Sequence, residues 1–292
     1  MKKNLIYLAL LLIISGTWYA LQLKKKQDHQ KLVDRRNELV FQNFNEANIH
    51  FIDLELPGER IALALKDGQW QFTGNGLSAN ELYVQILLGC IKQLTYGDVI
   101  SERVEDHANY KLDSQSRLVI LRDANAIEQA RVYIGKPGEN YRTAFFRLGD
   151  SATVYHTVTD CYPALTRSCW YDRTIWQVSE SAINKFKFIF KKETTIYRKE
   201  EDRWVTQTGA TLPKEQCESL FHLVASHAEY TEVPIAKAEA EGEIHLFVGN
   251  QTMSLLLFKS NNGYHGIRPS IPGMLFSLPV DFLDHFRLTD VK

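Results

Sequence analysis

The sequence predicts an α+β fold. It has two tandem repeats, each an antiparallel sheet with one packed helix, preceded by a single N-terminal transmembrane helix. Three observations predict it. Residues 44–70 recur at residues 178–204 under a shift of 134 positions, without a gap, so that Glu46 falls on Glu180, Ile49 on Ile183 and Trp70 on Trp204. Such self-similarity marks a repeated structural unit. Short apolar segments alternate with period two between Gly, Pro and Asp-Gly punctuation, the pattern of antiparallel hairpins. Residues 5–23 carry no charge and lie between Lys2-Lys3 and Lys24-Lys25-Lys26.

The hydrophobic segment comes first after a short tail, residues 1–4. As a helix, residues 5–23 reach about 28 Å, close to the hydrocarbon thickness of a bilayer. Trp18 and Tyr19 suit an interfacial aromatic belt. A cleaved signal peptide competes with this reading, but a cut after Ala20 puts Trp18 at the −3 position, where a small residue is needed. Orientation is contested. Six Lys and Arg follow the segment (Lys24, Lys25, Lys26, Lys31, Arg35, Arg36) against two before it. The positive-inside rule taken alone would keep the chain in the cytoplasm. A short tail before a first hydrophobic segment is the usual signal-anchor layout, and large domains translocate despite such charge. The expectation is an inner-membrane, single-pass protein with its bulk extracytoplasmic.

Residues 24–43 read as a helical juxtamembrane stalk, with Leu32/Leu39 and Val33/Val40 seven apart but too few heptads for a coiled coil. The first repeat spans residues 44–170. Asn45 caps a short turn before the strand IHFIDLEL. Pro57-Gly58 turns into RIALALK, and Asp67-Gly68 turns into WQF. Ser78, with Glu81 three residues on, reads as a capping box. It opens a helix whose apolar face is Leu82, Ile86, Cys90, Leu87, Ile91 and Leu94. RLVILRD, QARVYIGK, TAFFRLG and TVYHTV follow as strands. The second repeat, residues 171–292, gives KFKFIF, TIYRKE and RWVTQ. Pro213 then starts the helix PKEQCESLFHLVASHA, and IHLFVG, SLLLFKS, YHGIRP and MLFSLP close the unit.

Composition narrows the function. Hydrophobic residues at 45% and charged residues at 24% are ordinary globular values, and the net charge of −1 is spread without a basic patch. Nucleic-acid binding is therefore not expected. The four cysteines (Cys90, Cys161, Cys169, Cys217) make no CxxC pair, against a zinc ribbon or thioredoxin-type site. Nucleophile-elbow, zincin, Walker and dinucleotide motifs are all missing, so no catalytic residue, metal site or cofactor is expected. Gly135-Lys136-Pro137-Gly138 reads as a hairpin turn, because no helix follows to receive a phosphate. His222 and His227, placed on the second helix, lie about 140° apart around its axis and cannot readily share a metal. Asp281, Asp284 and His285 read as a solvated helix end. For His156, Asp160 and Cys161 a structural role is favoured over a nucleophile, since no helix start lowers the thiol pKa. Cys161 and Cys169, eight apart around Pro163, are the candidate disulfide of an extracytoplasmic domain. Cys90 and Cys217 read as buried thiols.

Trp170, Tyr171 and Trp176, beside Arg167 and Arg173, form the candidate binding cluster. Aromatic residues and Arg are typical interface anchors. The competing reading makes them the apolar seam that tandem domains need.

Several phrases carry a family resemblance: Ile49–Leu56 followed by DGQW, Tyr110-Lys111-Leu112-Asp113 before a strand, YRTAFFRLGDSATVYHTV, and the link TRSCWYDRTIWQVSESAINKFKF. Together they resemble the uncharacterised bacterial family called domain of unknown function four-three-four-zero, over roughly residues 40–285. Lys111 stands where the family's Tyr-Gly-Leu-Asp phrase has glycine. The resemblance implies an envelope protein, often encoded beside subunits of gliding-motility-type ABC transporters, and carries over no catalytic residue. The combined expectation is a non-enzymatic, membrane-anchored accessory or scaffold protein of an envelope complex, with ABC transporter subunits and the bilayer as partners. The alternative is an extracytoplasmic glycan-, peptide- or lipid-binding protein that uses a groove between the repeats.

Overall fold

The computed structural model describes residues 2–139, 143–159, 161–166, 169–201, 203–212, 214–231, 240–261, 263–279 and 282–283, with the backbone alone at 2–10, 12, 32, 33 and 214. Helix α1, Lys2–Asp34, opens the chain. Among the described residues no helix is long and apolar enough to cross a membrane. The side chains of residues 5–10 and of Leu12, a large part of the apolar segment, lie outside that description. Beyond α1 the chain is mostly antiparallel β-sheet with few helices. It divides into two compact units, Met1–Gly76 with Glu81–Arg167, and Leu77–Asn80 with Ser168–Lys292.

The first unit contains β1 (Ile49–Leu56), β2 (Glu59–Lys66), β3 (Gln69–Phe72), α2 (Glu81–Lys92), β4 (Asp98–Ser101), β5 (Arg117–Asp123), β6 (Glu128–Pro137), β7 (Ala144–Leu148), β8 (Val154–Thr157) and α3 (Tyr162–Leu165). Its eight-stranded sheet runs β3-β2-β1-β5-β6-β7-β8-β4. Turn chemistry sets the first two hairpins. Leu56 pairs with Glu59 across Pro57-Gly58, and Lys66 pairs with Gln69 across Asp67-Gly68. Asp67 and Gly68 both have positive φ (50° and 77°), the type I′ geometry whose twist matches the flanking strands. A bulge between Ile49 and Phe51 resets the alternation of β1, which is why Ile49, Ile52 and Leu54 all face the core. Asn45 caps the turn before β1 as expected, its side chain accepting from the Ala47 N–H at 3.1 Å.

Helix α2 covers this sheet with Val84, Leu87, Leu88 and Ile91. Two expectations change here. The helix begins at Glu81, so Ser78 is not its cap. The Ser78 carbonyl instead accepts from the Asp172 N–H at 2.9 Å. Leu82 and Ile86, expected in the apolar face, are exposed, because that face turns on Val84 and Leu88. The stretch after α1 is fastened to the same unit. Val40 N–H donates to Leu94 O at 2.8 Å, Arg35 Nη2 donates to Tyr96 Oη at 2.6 Å, and Arg36 pairs with Asp98 at 3.0 Å.

The second unit contains β9 (Thr174–Gln177), β10 (Ile183–Phe190), β11 (Glu193–Glu200), β12 (Arg203–Thr206), β13 (Thr211–Leu212), α4 (Lys214–Phe221), β14 (His222–Val224), β15 (His227–Tyr230), β16 (Gly242–Val248), β17 (Gln251–Ser260), β18 (Gly263–Ile267) and β19 (Met274–Ser277). Its nine-stranded sheet runs β13-β12-β11-β10-β16-β17-β18-β19-β15, and β14 pairs with β9 in a separate ribbon. A bulge falls between Ile183 and Lys185. Phe186 is fully buried at the centre of an aromatic group with Tyr197, Trp204 and Phe221.

The expected helix from Pro213 to Ala228 is corrected. Pro213 lies outside the described residues, and the helix ends at Phe221. Its last carbonyls are taken up by β9 and the residue after that strand. Trp176 Nε1 donates to Leu220 O at 2.5 Å, and Val178 N–H donates to Phe221 O at 2.9 Å. The chain then continues as strand, with His222 opposite Gln177 and Leu223 opposite Trp176. His222 and His227 therefore sit on two strands rather than one helix.

Candidate functional site

The cysteines are arranged differently from the expectation. Cys161 pairs with Cys90, not with Cys169, and the bond joins α2 to the residue that opens α3. Packing of the two short helices brings the Cα atoms to 5.5 Å, inside the range a disulfide bridges. Cys90, read as a buried thiol, is thus a bridge partner, and Cys161 has no thiol left for a nucleophilic role. Cys169 and Cys217 are free and buried. Cys169 Sγ donates to the Ala228 carbonyl at 2.8 Å, and burial pushes the Cys217 thiol up to about 12.

The proposed aromatic cluster falls within the second unit, except Arg167, which lies outside the described residues. Trp176 is packed in that unit's core, and Trp170 is also buried. Tyr171 forms a bridge with Ala79, and the Trp170 carbonyl accepts from the Asn80 N–H at 2.7 Å. Arg173 Nη1 donates to the Ser226 carbonyl at 3.0 Å. These contacts hold Leu77–Asn80 and β14 in place. Asp160, Asp281, Asp284 and His285 also lie outside the described residues.

A different constellation forms on the first unit, from the phrases that carry the family resemblance. Residues 104–110 form a 3₁₀ helix that ends where Lys111 takes a left-handed conformation (φ 54°, ψ 41°). That reversal buries Leu112 completely and brings the Tyr110 carbonyl over Gly135, where a Cβ would stand only 2.1 Å from the oxygen. Gly135-Lys136-Pro137 is therefore the end of β6, paired with β7, and not a turn. Just after it, Gly138 N–H donates to Thr143 O at 2.8 Å.

The Tyr110 ring packs on Phe145 with centroids 4.7 Å apart. Phe145 lies directly opposite His156 across β7 and β8, and their rings stack at 4.6 Å and 23°. His156 Nε2 and Thr143 Oγ1 are hydrogen-bonded at 2.9 Å. The Lys136 ammonium sits 5.3 Å from the Tyr110 ring centroid and 5.6 Å from that of Phe145. Lys136, Pro137, Gly138, Glu139, Thr143, Phe145 and His156 line a recess of about 620 Å³. Sequence reasoning singles out His156 and the 135–138 run separately. The signal that joins them is cross-strand register, since β6, β7 and β8 are neighbours. Among the described residues no cluster of three or more His, Cys, Asp or Glu could hold a metal ion.

The fold and recess define a class: antiparallel-sheet units with a helix-to-helix disulfide and an aromatic-and-lysine recess. Within that class, the chain belongs to the family described as domain of unknown function (DUF4340), which matches residues 70–238. That match takes in α2, the disulfide, the recess and the start of the second unit. No curated protein and no solved structure matches the chain.

Proposed function

We propose that this protein is a membrane-anchored, extracytoplasmic accessory or scaffold protein of a cell-envelope complex, without catalytic activity of its own. The observation that carries this reading is the Cys90–Cys161 disulfide. Disulfides form and persist in oxidising compartments and are rare in the cytosol, which weighs against the flanking Lys and Arg count. The uncharged segment 5–23 lies within α1 and supplies the anchor.

Two copies of one ancestral unit make up the rest in this reading. The bulges at Ile49/Phe51 and Ile183/Lys185 stand at equivalent places under the 134-residue shift, and so do the 3₁₀ turns Glu46–Asn48 and Glu180–Ala182. The central strand orders correspond as well, with β2-β1-β5-β6-β7-β8 matching β11-β10-β16-β17-β18-β19.

The partner proposed is an ABC transporter, on family resemblance. The test is mild crosslinking of the full-length protein in native membranes, followed by pull-down. Co-recovery of a permease and an ATPase is the expected result. Recovery of neither from intact protein would overturn the transporter assignment. A free-thiol count of four in freshly isolated membranes would overturn the compartment.

A further inference from the structure

We propose that the recess formed by β6, β7 and β8 of the first unit is a binding site for a small anionic ligand, a carboxylate or phosphate carried on a sugar-sized body. Three observations converge. The recess measures about 620 Å³, within the range of small-molecule sites, and combines an apolar wall with a few polar groups. Phe145 and Pro137 supply the wall, and the Thr143–His156 pair supplies hydrogen-bonding atoms beside it; Glu139 also lines the recess but is exposed, so water screens its charge.

Lys136 supplies the charge. Lys136 is half-buried, its ammonium sits over the rings of Tyr110 and Phe145, and no carboxylate among the described residues is paired with it. A cation held over aromatic faces gains only a fraction of what an anion supplies. An anion entering the recess would complete its coordination where screening by water is reduced.

Gly138 indicates that the Thr143–His156 pair is built in. A Cβ there would lie 1.9 Å from Thr143 Oγ1 and 2.9 Å from His156 Nε2, so any larger residue would displace the pair. The chemistry asked of the site is recognition alone. Lys136 holds the charge, the hydroxyl–imidazole pair meets polyol oxygens, and Phe145 packs on an apolar sugar face.

The experiment uses the full-length chain in detergent, with binding followed by isothermal titration and by the first unit's melting temperature. The probes are glucose 6-phosphate, glucuronate, inorganic phosphate and glucose. Anionic sugars are expected to bind and raise the melting temperature, as any ligand selective for the folded state must. Lys136→Met should weaken them at least about tenfold, Lys136→Arg should restore most of the loss, and raising the salt should weaken binding in the parent. Phosphate binding as tightly as glucose 6-phosphate would support the anion site and identify free phosphate as its source. Glucose binding as well as its phosphate would overturn the proposal. Unchanged affinity in a folded Lys136→Met variant, or no binding by any anionic probe, would also overturn it.

Discussion

Reducing the Cys90–Cys161 bond gives the sharpest test of how the first unit is held together. The bond spans 71 residues of sequence, from α2 to α3, and so encloses β4 to β8. In the chain-entropy model a closed loop of about 15 residues stabilises by about 3 kcal/mol, and one of about 100 residues by about 4.7 kcal/mol. A loop of this size falls between them, at about 4 kcal/mol. For a unit of this size each kcal/mol moves the melting temperature by about 2–4 °C, which gives a fall of roughly 8–16 °C. The assay is differential scanning calorimetry of the full-length protein in detergent, with and without reductant, alongside the Cys90→Ala/Cys161→Ala variant. Only the first unit's transition should move, because both cysteines belong to it. Alkylation of the unfolded protein should find two thiols before reduction and four after. A reduced sample with four thiols and an unshifted first transition would refute the assignment of the bond to this unit's stability.

Lys111→Gly should raise the first unit's stability by about 0.5–1 kcal/mol, because a left-handed conformation costs an L-residue about 1–2 kcal/mol and glycine returns part of that as chain entropy; denaturant midpoints check it. Lys192→Gly, at φ 74° in the turn between β10 and β11, should act in the same direction on the second unit. Trp176→Ala removes a buried indole and its bond to the Leu220 carbonyl, and should cost about 3–5 kcal/mol in the second unit's unfolding free energy. A melting curve left unchanged would make Trp176 a binding candidate again. Burial also pushes both Tyr197 and Cys217 up to about 12 in the second unit. Each is therefore protonated more readily when folded. Their contribution is complete below about pH 9 and is lost as the pH rises towards about 12, so alkaline melting curves should show the second unit losing stability over that window.

Most strands are legible in the sequence because period-two alternation and Asp-Gly or Pro-Gly punctuation act locally. The central strands appear where IHFIDLEL, RLVILRD, KFKFIF and SLLLFKS predict them. The short strands β4, β9, β14 and β15 are not legible. Four residues such as DVIS carry too little alternation, and their conformation comes from partners far along the chain. Periodicity overextends the second helix because Cys217, Leu220, Phe221, Val224 and Ala228 keep a helical spacing, whereas β9 captures the backbone after Phe221. It is closeness in sequence that favours Cys161 with Cys169, and closeness in space that decides otherwise. Cys90 and Cys161 meet only once α2 and α3 pack. The recess is visible as separate pieces, Tyr110, Lys136 and His156, and their meeting depends on the register of three neighbouring strands.

Leu77–Asn80 belongs to the second unit although residues on both sides of it belong to the first. During synthesis this tetrapeptide leaves the ribosome well before Trp170, Tyr171 and Asp172, to which it is bridged and hydrogen-bonded. At about 5–20 residues per second the wait is on the order of 5–20 s. Strands β4 to β8 of the first unit emerge during that wait, so its sheet is completed only as the tetrapeptide's partners arrive. A fragment begun at Ser168 would never receive these four residues. Cleavage of the finished protein there would leave them still docked, so nicked and truncated forms of the second unit should differ in how well they refold.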